Sequence, residues 1–209
     1  NQDDGIECFG GTVDVKNVLV WNQADDAFDM DQAYKGTITN GIAVLSPQSD
    51  HGFELDGPEG QSKGTYTLKN FTIKGNNSDG SANQYADLRD DVTTVMEKVY
   101  FFNFPESATF ELNGNKPDED PPVEDPTPQN YLDDNITLSN LEINTSHLNG
   151  GNTTIDKIFS VDGAQKATFD QKPIDAAAAS IVSNPEDAGA DKAPFGWTWA
   201  SNAGGLSDL

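Results

Sequence analysis

The sequence predicts an all-β fold, a right-handed parallel β-helix, and two observations support this prediction. Two short residue patterns alternate along most of the chain, as repeats of a solenoid do. Apolar residues make up only 35% of the 209 residues, while Gly, Asn, Asp, Ser and Thr are abundant, which favours short strands joined by turns. The length suits either one repetitive domain or two compact ones.

The first pattern places one acidic residue between two apolar residues. It occurs at Ile6-Glu7-Cys8, Phe28-Asp29-Met30, Phe53-Glu54-Leu55, Ala86-Asp87-Leu88 and Phe110-Glu111-Leu112. Because successive side chains of a strand point to opposite faces, we expect the apolar residues to point inward and the acidic residue outward.

The second pattern contains an asparagine inside an apolar strand. It occurs at Val15-Lys16-Asn17-Val18-Leu19-Val20, Ile38-Thr39-Asn40-Gly41-Ile42-Ala43, Leu68-Lys69-Asn70-Phe71-Thr72-Ile73 and Leu138-Ser139-Asn140-Leu141-Glu142-Ile143, and Lys98 takes the place of asparagine in Met96–Phe101. Asparagine tolerates left-handed backbone, so it indicates a corner of the coil and a ladder of stacked amides. An antiparallel β-sandwich is the competing fold, but it requires no fixed order of motifs.

The coil is expected to occupy residues 1–162, with loops of unequal length between the patterns. Residues 113–130 are so rich in Asp, Glu and Pro that they predict a mobile loop insertion. Residues 163–209 are expected to form a C-terminal cap, in which Trp197 and Trp199 cover the open apolar end of the coil.

The charge balance excludes some classes of partner. With 12 Lys and Arg against 35 Asp and Glu, the net charge of -23 disfavours nucleic acid and anionic lipid surfaces. Cys8 is the only cysteine, so an internal disulfide is excluded, and no catalytic cysteine is proposed.

The outward acidic column carries the main candidate site. Its members are Glu7, Asp29, Glu54, Asp87 and Glu111. Like charges one strand spacing apart repel each other and require compensation. Calcium could bridge neighbouring carboxylates, with further ligands from Asp4, Asp26, Asp31 and Asp56. Proton sharing, or solvation by turn amides and polar side chains, would serve equally well.

Enzymatic candidates also follow from the composition of the turns. Asp26, Asp50 and His51 could provide the acid and base of a polysaccharide hydrolase. A lyase needs Lys or Arg as its base, but for Arg89, the only arginine, an ion pair with Asp90 or Asp91 is favoured. The aromatic residues that could instead bind a sugar ring are Trp21, Tyr34, Trp197 and Trp199.

Several motifs give the chain a resemblance to a known family. They are Asp3-Asp4-Gly5-Ile6-Glu7, Phe9-Gly10-Gly11-Thr12-Val13, Trp21-Asn22, Asp25-Asp26, Asp31-Gln32-Ala33, Phe53-Glu54-Leu55-Asp56-Gly57-Pro58-Glu59-Gly60 and Gly196-Trp197-Thr198-Trp199-Ala200. On these motifs the chain resembles, nearly end to end, the β-helix surface lipoproteins of Bacteroidota, especially marine flavobacteria. The resemblance implies export and tethering to the outer membrane through a lipidated cysteine in an N-terminal portion that is missing here. It implies no particular activity.

These observations favour a non-catalytic module, secreted or exposed on the cell surface, that binds a glycan or a protein partner, with calcium as a candidate stabilising ion. A β-helix lyase or glycoside hydrolase is the alternative, and a structural subunit of a surface assembly is the second alternative. The resemblance also implies further coils before Asn1. We therefore expect another polypeptide, such as the protein's own N-terminal half, to cover the first coil.

Overall fold

The computed structural model describes residues 3–116, 123–170 and 174–209, and these residues form two parallel sheets. Strands are numbered in chain order. The first sheet contains β1 (Ile6–Phe9), β3 (Phe28–Asp31), β5 (His51–Asp56), β7 (Gln84–Arg89), β9 (Phe110–Leu112) and β13 (Phe159–Val161). The second sheet contains β2 (Val15–Trp21), β4 (Thr37–Val44), β6 (Tyr66–Lys74), β8 (Thr94–Phe102), β12 (Ile136–Asn144) and β14 (Ala179–Val182). Successive strands of the coil belong alternately to the first and the second sheet, so the predicted parallel β-helix is confirmed.

The register of the first sheet stacks the acidic pattern residue by residue. Glu7 pairs with Asp29, Asp29 with Glu54, Glu54 with Asp87 and Asp87 with Glu111. The flanking apolar positions stack in the same way and fill the interior. Among them, the rings of Phe28 and Phe53 are stacked with their centroids 5.5 Å apart. Sequence periodicity therefore predicted both the strands and their register.

The corner residues of the second sheet adopt the expected left-handed backbone. Their φ angles are 60° at Asn17, 66° at Asn40, 60° at Asn70, 58° at Lys98 and 52° at Asn140. The Asn40 amide nitrogen donates to the Asn17 side-chain oxygen at 2.7 Å, which forms one rung of an asparagine ladder. Lys98 keeps the corner conformation without a side-chain amide, so the backbone bend does not require asparagine at every coil.

The 113–130 insertion has ordered structure on both sides of residues 117–122, which lie outside the described residues. Strands β10 (Asn115–Lys116) and β11 (Val123–Glu124) form an antiparallel pair, and helix α1 (Thr127–Leu132) follows. The buried Asp125 carboxylate accepts hydrogen bonds from the backbone amides of Asp90 and Asp91. The expectation of a mobile loop therefore does not hold for Asp125, because its carboxyl group binds the backbone amides of a left-handed turn of the coil.

The last coil is closed by short helices rather than by the tryptophans. These are α2 (Ile155–Ile158) and α3 (Lys166–Phe169), and the buried Phe169 ring lies 5.3 Å from Tyr131 of α1, centroid to centroid. Strand β14 then adds to the second sheet, within residues assigned above to the cap. In the described parts of the chain, no helix is long and apolar enough to cross a membrane.

The segment after β14 lies along the outer face of the second sheet. Four of its backbone amides donate hydrogen bonds to residues of four successive coils. The bonds run from Asp187 to Glu142, from Gly189 to Lys98, from Ala190 to Thr72 and from Asp191 to Asn40. A 3₁₀-helix (Ala193–Phe195) and helix α4 (Trp199–Asn202) end the segment. The segment therefore runs back from the last coils toward the first.

The prediction that Trp197 and Trp199 cover the coil end is wrong, since both side chains are exposed. The apolar contacts of this segment are made by smaller residues that pack on Ile42 of β4. They are Phe195, Ala200 and Leu206. The helices α2 and α3, rather than the tryptophans, cover the coil interior at this end.

A steric test of the stacking is available at one turn. A methyl group on Gly57 would lie 1.8 Å from the Asp90 carbonyl oxygen of the next coil, whereas one on Gly60 would meet no atom within 4 Å. We expect Gly57→Ala to lower the free energy of unfolding by about 1–3 kcal/mol or more. Urea denaturation measures this loss, and Gly60→Ala is the matched control. Equal stabilities of the two variants would contradict the stacking of these turns.

Candidate functional site: an acidic ladder on the first sheet

The outward carboxylates of the first sheet form a ladder that is only partly open to solvent. Asp29 and Asp87 are 7% and 6% exposed, whereas Glu7 at the first coil is exposed. Asp4, Asp31 and Asp56 are near enough to raise the pKa of Asp29 by charge repulsion. The site therefore concentrates negative charge in a partly dehydrated surface.

Arg89 compensates one half of this ladder. Its Nε lies 2.8 Å from Asp56 Oδ1, its Nη1 lies 3.3 Å from Asp87 Oδ2, and its Nη2 contacts Glu54. The predicted partners of Arg89 were wrong: Asp90 pairs with Lys116, and Asp91 pairs with Lys63. The reason is strand alternation, because Arg89 lies two residues after Asp87 and so points to the same outer face.

The three catalytic candidates are brought together beside the ladder. His51 Nδ1 lies 2.7 Å from Asp26 Oδ1, and the His51 backbone amide donates to the same oxygen at 2.8 Å. The exposed Asp50 carboxylate lies 3.8 Å from His51 Nε2. A hydrogen bond also joins Asp26 to Glu54, so this group connects directly to the ladder.

Proton affinities differ sharply within the ladder. Burial, followed by repulsion from Asp4, Asp56 and Glu7, raises the pKa of Asp29 to about 8. Burial, followed by the hydrogen bond that protonated Glu54 donates to Asp26, raises the pKa of Glu54 to about 10. Burial opposes ionisation of Asp26 too, but hydrogen bonds with His51 and Glu54 outweigh it and lower the pKa of Asp26. Ionised Asp26 therefore lies beside protonated Glu54.

Asp87 of the ladder and the neighbouring Asp56 have intermediate proton affinities. Burial raises the pKa of Asp56 to about 6 and that of Asp87 to about 6, although Arg89 opposes both shifts. Hydrogen bonding to Asp26 outweighs burial at His51, so the pKa of His51 is raised. The ladder is thus compensated by an arginine, an imidazole and retained protons.

The first two coils hold the best arrangement for a metal ion. Asp4, Glu7 and Asp29 each offer one carboxylate oxygen, and these oxygens lie within 4.8 Å of one another. Oxygens that bind one Ca²⁺ at 2.3–2.6 Å are at most about 5 Å apart, so the set fits calcium. Asp3, Asp4 and Asp25 form a second such group, which sequence reasoning missed.

The other predicted metal ligands are engaged elsewhere. Glu54, Asp56 and Asp87 contact Arg89, and Asp26 contacts His51. The Asp31 carboxylate accepts a hydrogen bond from the Gln32 amide at 2.6 Å. Of the predicted metal set, the structure therefore groups Glu7 and Asp29, with the Asp4 carboxyl group beside them.

The aromatic candidates divide into buried and exposed residues. Tyr34 is completely buried, and its hydroxyl donates to the Val13 carbonyl at 2.6 Å, so its ring presents no face to a sugar. Trp21, Trp197 and Trp199 are exposed; Trp21 ends β2 of the second sheet, and the other two belong to the segment that packs on the outer face of that sheet. They do not contribute to the acidic site.

Comparison with known proteins agrees with the parallel β-helix fold. The family model described as a pectate-lyase-like β-helix domain matches residues 1–201. The chain belongs to this family. No curated protein matches it, and no solved structure does. The finer likeness to Bacteroidota surface lipoproteins stays a prediction.

In this pectate-lyase-like domain, the groups that a lyase would use as a base are not available on the ladder. Arg89 is held by the carboxyl groups of Asp56, Glu54 and Asp87, and negative charge there raises the pKa of its guanidinium further. The described strands of the first sheet contain no lysine.

The raised carboxyl pKa values predict that stability falls as pH rises. Folding raises the pKa of Asp29 from 3.8 to about 8. The stabilisation that its bound proton provides is therefore complete below about pH 4 and is lost as the pH rises through about 8. Without divalent cations, the melting temperature should decrease between pH 5 and pH 8. Asp29→Asn should reduce this dependence. A melting temperature that rises over the same interval would contradict the predicted protonation.

Proposed function

We propose that the domain is a non-catalytic extracellular binding module, in which the acidic ladder binds calcium and, through calcium, a glycan. The observation that carries this proposal is the group of Asp4, Glu7 and Asp29 oxygens within 4.8 Å of one another. Arg89 contacts the carboxyl groups of β5 and β7, whereas Asp4 lies just before β1, Glu7 on β1 and Asp29 on β3. A cation at the first coils would complete the compensation of the ladder.

Calcium is the cation that this donor set favours. All three donors are carboxylate oxygens, which suit hard cations, and they come from three separate positions, which suits the flexible coordination of Ca²⁺. Its six to eight ligands exceed the three provided here, so positions remain for hydroxyl or carboxylate oxygens of a sugar. Glu7 is exposed, so a glycan can reach an ion held beside it.

The calcium affinity expected of this site is typical of an extracellular protein. Three ligands at a partly exposed surface should give a dissociation constant of about 10⁻⁴–10⁻³ M, the range of extracellular calcium modules. Export and a lipid anchor, expected above from resemblance, belong to the same proposal. The high negative charge further favours a partner reached through a bridging cation rather than direct binding of a polyanion.

Calcium addition should stabilise the domain at neutral pH. At a free concentration tenfold above the dissociation constant, we expect about 1.4 kcal/mol of stabilisation. Asp29→Asn should abolish both this effect and the heat of calcium binding in calorimetry. Glu111→Gln is the matched control, because Glu111 lies at the far end of the ladder and bonds to Thr109. An unchanged melting temperature in the parent protein would eliminate the calcium site.

Glycan binding is tested separately with immobilised polygalacturonate and neutral polysaccharides. Retention should require calcium, disappear with chelator and be lost in Asp29→Asn. Retention that persists in chelator would show that the ladder cation is not part of glycan binding. A calcium-dependent protein partner in place of any glycan would retain the site but replace its ligand.

A glycoside hydrolase is the second candidate, and the pairing of Asp26 with Glu54 favours it. An ionised carboxylate beside a protonated one provides a base and an acid at neutral pH. However, hydrolases hold these groups about 5–9.5 Å apart to admit the sugar or water. The direct hydrogen bond between Asp26 and Glu54 leaves no such space, which places binding ahead of catalysis.

Product analysis distinguishes these functions. We expect no new reducing or unsaturated ends after incubation with uronate and neutral polysaccharides. Reducing ends that disappear in Glu54→Gln would establish a hydrolase and contradict the non-catalytic proposal. Unsaturated ends that disappear in Arg89→Lys would establish a lyase instead.

The first coil supports the proposed contact with another polypeptide. Strands β1 and β2 each have only one neighbouring strand among the described residues, so each presents an unpaired edge. Ile6 and Cys8 are half-buried, and Phe9 and Val13 are exposed, in contrast to the apolar residues of later coils. A preceding coil of the same protein is the partner that would continue both sheets.

A further inference from the structure

The turns that follow the strands of the first sheet share one backbone conformation. Strands β1, β3, β5 and β7 stack in register, so the two residues after each of them are structurally equivalent. In three of these four turns both residues have positive φ angles: 72° and 84° at Gly10 and Gly11, 58° and 68° at Gln32 and Ala33, and 57° and 62° at Asp90 and Asp91. Successive backbone N–H groups in turns of this kind can converge on an anion.

The turn at residues 90–91 holds a carboxylate. The Asp90 amide donates to Asp125 Oδ2 at 2.5 Å, and the Asp91 amide donates to Asp125 Oδ1 at 3.1 Å. Lys116 pairs with Asp90 and Lys63 with Asp91, which offsets the negative charge that collects around the buried Asp125. This turn therefore binds the carboxylate of a peptide side chain even in acidic surroundings, provided that lysines lie nearby.

The equivalent turns of the first two coils have open amides. Within the described parts of the chain, the amides of Gly11 and Ala33, which are the counterparts of the Asp91 amide, donate to no oxygen. Both residues line a cavity of about 570 Å³, together with Thr12 and Lys35. Backbone N–H groups are obligatory donors, so water or a ligand must accept from these two.

The charges around this cavity favour an anion. Among the residues that the structure describes, none forms an ion pair with Lys35, and its backbone amide donates to the Gly11 carbonyl at 2.9 Å. The nearby acidic groups are engaged: Asp31 accepts from the Gln32 amide at 2.6 Å, and Glu59 accepts from the Gln32 side chain. The cavity therefore combines two amide donors with an ammonium group that is not already neutralised.

We propose that this cavity is a second binding site, which takes the carboxylate of an acidic peptide side chain. The Gly11 and Ala33 amides and the Lys35 ammonium donate to it, in the way that the turn at residues 90–91 binds Asp125.

A peptide is favoured over a polyanionic glycan as the ligand. The net charge of -23 repels a polymer that is charged at every unit, whereas a single carboxylate needs only local compensation. The exposed ring of Phe9 also lines the cavity, and aromatic side chains are enriched in the contact surfaces of proteins. The one occupant of such a turn within the described residues is itself a peptide side chain, Asp125.

The site goes beyond the proposed calcium site and does not depend on it. The Asp4, Glu7 and Asp29 carboxylates accept a cation, whereas this cavity offers donors to an anion. Chelation and the Asp29→Asn substitution should therefore leave carboxylate binding unchanged. Failure of one site is thus distinguishable from failure of the other.

Amide-resolved NMR of the calcium-free protein tests this site, with the α-amide of N-acetyl-aspartate as the probe. The Gly11 and Ala33 amide resonances should shift in a saturable manner as they begin to donate to its carboxylate. The Asp90 and Asp91 amides already donate to Asp125, so their resonances should stay in place. The α-amide of N-acetyl-asparagine is the uncharged control and should shift none of them.

A substitution tests the contribution of the lysine. Lys35→Gln should weaken binding of the probe about two- to fivefold, the effect of losing an exposed ion pair. Lys157→Gln, which replaces an exposed lysine on α2, is the matched control and should leave the affinity unchanged. Because both side chains are exposed, the remaining resonances of each variant should match those of the parent protein.

Three outcomes would overturn the site. They are the absence of a saturable shift at Gly11 and Ala33, equal shifts with the asparagine analogue, and an unchanged affinity in Lys35→Gln. Shifts produced by galacturonate but not by the aspartate probe would overturn the assignment to a peptide and replace the ligand with a sugar acid.

Discussion

In-register stacking of successive coils is the constraint on which the rest of this structure depends. Parallel strands about 4.8 Å apart place each residue beside its equivalent in the next coil. Inside the coil this stacks apolar residues, including the Phe28 and Phe53 rings. Outside, the same register places Asp29 between Glu7 and Glu54, where charge repulsion is unavoidable. The register that builds the core therefore also creates the acidic site.

Compensation of the ladder differs along its length. Around β5 and β7, Arg89 and His51 supply positive charge, and Glu54 retains a proton. At β1 and β3, carboxylates face one another in the geometry of a cation site. The carboxyl groups around β5 and β7 therefore have positively charged partners, whereas those at β1 and β3 are the ones for which we propose a bound calcium. This difference explains why the proposed binding site lies at the first coils.

The sequence was sufficient for features that depend on local alternation. The pattern around Asp29 fixed which side chains face inward, and the asparagine pattern located corners such as Asn40, whose φ is 66°. Features that depend on distant contacts were beyond its reach. The C-terminal segment follows no repeat, so its return to Asn40 and Ile42 was not predictable. Tyr34 was misjudged for the same reason: its partner Val13 belongs to the preceding coil. By contrast, the sequence shows that Arg89 lies two positions after Asp87. Strand alternation therefore places both side chains on the outer face, which would have indicated the true partners of Arg89.

We propose that stacking keeps Asp29 protonated at neutral pH until a cation replaces its proton. Carbon-13 NMR titration of the side-chain carboxyls measures this directly at Asp29, whose pKa is raised to about 8 from its ordinary value of 3.8. We predict a titration midpoint near this raised value in calcium-free protein, and a midpoint below 5 at saturating calcium, about the range of an ordinary carboxyl. A midpoint below 5 in calcium-free protein, unchanged by calcium, would contradict the account.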